Sequence, residues 1–157
     1  RFDMGVFSVA NWFLYKDSMT LLKLQILCYY AYAWSLVFLN KNENIKHKLF
    51  EDTFQGWAMG PNCQTLYERY KNFRPYEMPK RDGKIKIYDK RIDRILESVW
   101  YTYGRFDGMD LSSIVLHDDP VIISREGLKP WESGYRVIRD KDMYRYYKGL
   151  LNGTPKE

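Results

Sequence analysis

Residues 21–39 read LLKLQILCYYAYAWSLVFL, a stretch that is apolar on almost every side when wound into a helix. Such a helix is either the centre of a bundle or a membrane span, and at about 20 residues it is long enough for both. Lys23 and Gln25 fall inside the run, and Tyr29, Tyr30, Tyr32 and Trp34 sit in its middle, away from the ends where interfacial aromatics belong. The stretch is therefore read as a buried central helix, with no membrane association. A helix buried all round must be enclosed by the rest of the chain. With 157 residues, 45% of them hydrophobic, one domain is enough to do this.

The enclosing segments follow from periodicity and punctuation. Val6, Val9, Ala10 and Phe13 recur at helical spacing over 4–15, and Asp17-Ser18 breaks the pattern. Residues 40–48 are polar and basic and predict a loop. In 49–61, LFEDTFQGWAMGP, the punctuation by Gly56, Gly60 and Pro61 predicts a short strand ending in a turn. Pro61 is expected to open a helix over 62–73, because a missing N–H costs nothing at that position. Residues 74–83, RPYEMPKRDG, form a loop, and 84–88 alternate basic with apolar residues. Over 89–103, Ile92, Ile95, Leu96, Val99 and Trp100 define an amphipathic helix that Gly104 stops. A short helix is expected over 110–117, irregular chain over 120–130 and one turn over 131–135. An extended piece over 136–138 and a last helix over 141–151 complete the chain. The fold class is mainly α: a compact bundle of about five or six helices around a buried central helix, with a small β element. One domain spans 1–157, with 1–3 read either as a tag remnant or as the edge of a longer fusion.

Chemistry-bearing patterns are sparse. Cys28 and Cys63 are too few for a disulfide framework or a four-cysteine zinc site, and read as buried thiols of a reducing compartment. The opening residues lack the basic-then-apolar order of a secretory signal, so the expected location is cytoplasmic. No Gly-rich phosphate loop, HExxH, GxSxG or CxxC occurs. His117-Asp118-Asp119 has only His47 as a second histidine, and reads as a hydrogen-bonded surface turn rather than a metal cluster. The expectation is a protein that is not an enzyme and holds neither metal nor cofactor. The net charge of +5 is concentrated: Lys80, Arg81, Lys84, Lys86, Lys90, Arg91 and Arg94 face only Asp82, Asp89 and Asp93 in that stretch. A local excess of this kind suits an acidic protein surface or nucleic acid.

Three stretches carry a resemblance: VANWFL from Val9, MTLLKLQILCYYAYAW from Met19, and LFEDTFQGWAMGPNCQTLYERY from Leu49. Leu22, Lys23, Leu24, Gln25, Tyr29, Tyr30, Ala31 and Trp34 match one block, and Phe54, Trp57, Gly60, Pro61, Leu66 and Tyr67 a second. Together they resemble the Panacea, or SocA-like, antitoxin family, over nearly the whole chain. The second half agrees less closely. Val115-Leu116 stands where the family pattern has Leu-Thr, and residues 118–129 separate His117 from Pro130-Trp131 where few are expected. Ile26 and Asn62 depart from a usual Lys and a common Val. The resemblance implies a mostly helical fold with a small β element. It also implies an antitoxin that neutralises a cognate toxin by direct contact, and it brings no catalytic residues.

The expected partner is thus a cognate toxin or other target protein. Nucleic acid is the second choice, in a regulator of its own operon, and an inhibitor or adaptor acting on a host protein is a further alternative. Oligomeric state is left open. The candidate contact residues are Trp57, Asn62, Tyr67, Arg74, Tyr76, Lys80, Arg81, Lys84, Lys86 and Arg91. If Trp57 is instead buried, truncation to Ala costs about 3–5 kcal/mol of stability. A smaller cost with lost binding marks a contact hot spot.

Overall fold

The computed structural model describes residues 4–153; residues 1–3, with the tag-remnant reading, lie outside the described residues. Helix α1 (Val6–Lys16) leads through a short link into α2 (Leu21–Leu39), the apolar run. Thr20 starts α2 with its hydroxyl accepting from Lys23 N–H at 3.3 Å, which satisfies one of the free donors of the first turn. At the other end Asn40 stops it: its amide donates to Leu36 O and His47 O, and its Oδ1 accepts from the N–H groups of Lys46 and His47. One side chain thus ends the helix and folds the 40–48 loop back on it.

The hairpin strands β1 (Gln55–Trp57) and β2 (Gly60–Asn62) pair antiparallel, with Gly56 opposite Pro61. Then come α3 (Gln64–Tyr70), a 3-10 turn (Lys71–Phe73), α4 (Lys90–Tyr103), α5 (Gly108–Val115), α6 (Asp119–Ser124) and α7 (Asp140–Leu151). Asp89 and Asp107 cap α4 and α5 through N–H groups of Arg91 and Asp110, at 2.9 and 2.8 Å. The chain is mainly α, with a small β element, as expected.

The expected central helix is central. Fifteen of the 19 residues of α2 are buried, and α1, α4, α5, α7 and the hairpin all pack on it. Its mean hydropathy of 1.3 would suit a membrane, yet 78% of the window is covered by the protein itself. Burial of one large apolar side chain stabilises by about 1.5–3 kcal/mol. Leu24, Ile26, Leu27 and Leu36 each reach full burial here. Helix α4 turns Ile92, Ile95, Leu96 and Val99 inward, the stripe read from the sequence.

Two expectations are corrected. Pro61 does not open a helix: it lies in β2, and the helix begins at Gln64 and ends at Tyr70, giving way to the 3-10 turn. Residues 120–130 are not all irregular, since Asp119–Ser124 forms α6 with Pro120 in its first turn. That helix brings the count to seven α-helices among the described residues. The 136–138 piece is extended as expected, bridging Gln55 to Val137, with Ile138 N–H donating to Phe54 O at 2.8 Å.

Candidate functional site

The hairpin turns at Ala58-Met59 and ends on Gly60, whose φ of 135° lies where only glycine is comfortable. A Cβ there would also press on Val115 at 3.2 Å. This tight return lets β2 lie directly on α2 and α5. Below it, Gln25 of α2 binds the exit of β2. Its amide donates to Asn62 Oδ1 at 2.9 Å and Cys63 O at 3.0 Å, and its Oε1 accepts from Cys63 N–H at 2.8 Å. All three partners are buried, so the polar groups of the floor are satisfied within the protein.

Above that floor opens a cleft of about 630 Å³. Its walls are Trp57 and Met59 of the hairpin, Leu21 and Leu22 of α2, Met109 at the start of α5, and Tyr67 of α3. Tyr135 closes one side, with its ring 6.3 Å from that of Trp57, and the Trp57 and Tyr67 rings stand edge to face at 5.0 Å. Arg74 forms the charged part of the rim: its Nη1 donates to the Tyr67 hydroxyl at 2.7 Å, and its guanidinium lies 5.4 Å from the same ring. Among the described residues Arg74 forms no ion pair with a carboxylate. Asp107, also at the rim, is engaged in the α5 cap. A cavity of this size with apolar walls and few polar groups is of the kind that takes a ligand or a partner's side chains.

Away from the cleft lining, the protein holds a second polar construction. Asp118 is buried, and its carboxylate accepts from the hydroxyls of Tyr147 at 2.8 Å, Tyr30 at 3.0 Å and Tyr146 at 3.3 Å. Tyr29 joins through the Tyr147 hydroxyl at 3.0 Å, and the Tyr103 ring stacks on Tyr30 at 3.9 Å. Burial raises the phenol pKa values of Tyr30 and Tyr147, so both stay neutral donors at ordinary pH. This corrects the surface-turn reading of His117-Asp118-Asp119. His117 is exposed, but Asp118 is turned inward. The thiols of Cys28 and Cys63 are free and buried, and burial raises both pKa values; neither is set up as a nucleophile.

Of the ten candidate contact residues, four meet at the cleft: Trp57, Asn62, Tyr67 and Arg74. Trp57 is half-buried, so it does not carry the full core cost, whereas Asn62 is buried in the floor. The rest do not line the cleft. Tyr76 is exposed, Lys80 and Lys86 lie over the rings of Tyr15 and Tyr88, and Arg91 pairs with Asp89 at 3.3 Å. Arg81 and Lys84 are exposed on the loop, with Arg81 N–H donating to Leu14 O. Sequence reasoning missed Met59, Met109, Leu21, Leu22 and Tyr135 as cleft residues. Only the hydrophobicity of Met59 beside the turn glycine hinted at an exposed apolar lip. No family model, curated protein or solved structure matches the chain.

Proposed function

We propose that this protein is a cytoplasmic, antitoxin-like binding protein that neutralises a partner protein by direct contact, with the hairpin cleft as the contact surface. The observation that carries the reading is the make-up of that cleft. Trp57, Tyr67, Tyr135, Met59, Met109 and Arg74 are the residue types enriched at protein interfaces, and a concave pocket of them is where binding energy concentrates. The two strongest Panacea-like blocks meet at its floor, where Gln25 of one bonds Asn62 and Cys63 of the other. The resemblance supplies the antitoxin part of the reading; the cleft supplies the place.

The test is co-expression with the product of the adjacent gene, scoring growth rescue and co-purification. Met109 is 61% exposed at the lip, so Met109→Arg fills the cleft without disturbing the core. It is expected to abolish rescue and complex formation while leaving thermal stability unchanged. A complex indifferent to Met109→Arg would remove the cleft from the reading.

A second reading, nucleic-acid binding, is favoured by the other surface. Lys80, Arg81, Lys84, Lys86 and Arg94 are exposed there beside Tyr88, which is 83% exposed. Basic side chains with interleaved aromatic rings suit a single-stranded backbone and its bases. Its signature is affinity that falls steeply with salt, lost on changing Lys84 and Lys86 to Glu.

A further inference from the structure

We propose that the cleft recognises one chemical pattern in its protein partner: a bulky apolar side chain next to an acidic residue. This rests on the reading of the cleft as the partner-binding surface and adds what it selects.

The floor and walls set the apolar half. Gln25 is already hydrogen-bonded to Asn62 and Cys63, and the Asn62 amide donates to Gln64 Oε1 at 3.3 Å, so the floor asks nothing polar of an occupant. The walls of Trp57, Met59, Leu22, Met109 and Tyr135 offer rings and thioethers to an aromatic or long aliphatic side chain.

Arg74 sets the acidic half. The Tyr67 hydroxyl and ring hold its guanidinium at the rim, and its one hydrogen bond to that hydroxyl uses one of five N–H donors. A guanidinium held against an aromatic ring and without a carboxylate partner is preorganised to take one in a forked contact. The Asp107 carboxylate, on the α5 part of the rim, repels a second carboxylate there. The acid therefore belongs at the Arg74 side, with the apolar residue seated between the hairpin and α5.

Two blocked hexapeptides test this on the full chain: Ac-Gly-Ser-Phe-Glu-Ser-Gly-NH2 and its Glu→Gln counterpart, titrated while the Trp57 indole N–H resonance is followed. The Glu peptide is expected to bind about three- to tenfold more tightly than the Gln peptide. A Phe→Ala peptide is expected to lose binding. The variant Arg74→Gln, at an exposed position, is expected to make the Glu and Gln peptides equal while the Phe contribution persists. Equal binding of the two peptides to the unaltered chain overturns the proposal, as does a Glu preference that survives Arg74→Gln. If Met109→Arg still abolishes partner capture in that case, the cleft stands as the contact surface and only the acidic preference falls. If no peptide perturbs Trp57 at millimolar concentration and Met109→Arg leaves capture intact, both readings fall together.

Discussion

Asp118 and Gln25 do at the scale of single residues what the apolar run requires. A central helix that carries Gln25, Tyr29 and Tyr30 must give each polar tip a partner, because an unmatched buried group costs about 1–3 kcal/mol. The need for partners was legible from the residue types alone. Their identity was not, since Asp118 lies 88 residues from Tyr30 in sequence and meets it only through tertiary packing. Asp118→Asn keeps the shape but brings amide hydrogens to a place where hydroxyls already donate. It is expected to lower stability by about 1–3 kcal/mol in urea denaturation. Gln25→Leu strands Cys63 N–H and the Asn62 amide oxygen beneath the hairpin, with an expected loss of about 2–3 kcal/mol in the same measurement.

Elements are held in place by a few long-range contacts that local pattern does not reveal. The rule that proline favours a helix start pointed to Pro61, where the chain is instead paired to Gly56. The same rule holds at Pro120, which opens α6. Asp118 and Asp119 ahead of Pro120 suit a helix start, whereas Pro61 follows the turn glycine Gly60 and is held by strand pairing. The segment 118–129 also gains a role at this scale. Arg125 donates from α6's exit to Gly56 O at 2.9 Å, Lys129 O at 3.0 Å and Glu132 O at 2.8 Å, binding this segment and the Tyr135 loop to the hairpin. Arg125→Met is expected to leave the core intact and to speed amide hydrogen exchange in the hairpin and over 129–135, read by mass spectrometry. The cleft wall at Tyr135 would loosen with it. Helices with a strong stripe, such as α4, were read almost to the residue, because one face alone meets the core.

Across the whole molecule, buried phenols dominate the titration behaviour. Burial raises the pKa of Tyr29, Tyr30, Tyr32, Tyr70, Tyr103 and Tyr147, and pushes that of Tyr146 up to about 12. The unfolded chain ionises tyrosine near pH 10, while the folded protein keeps these protons. The contribution is therefore fully present below about pH 10 and is lost as pH rises above it. Lys23 runs the other way: burial lowers its pKa, so stability rises slightly with pH in its window, but one amine opposes seven phenols. The buried group is expected to appear abruptly, at the pH where circular dichroism reports unfolding. A smooth titration of all tyrosines with the helices intact would refute this.

The position of α2 has one more consequence, in the order of synthesis. The helix leaves the ribosome well before Tyr147 of α7, which closes over it and is made roughly a hundred residues later. At about 5–20 residues per second that is a delay on the order of 5–20 s, during which an apolar rod waits without its cover. A nascent chain in this state is a substrate for chaperones and proteases. Yield of the folded protein is therefore expected to depend on how well α2 is sheltered until α7 arrives.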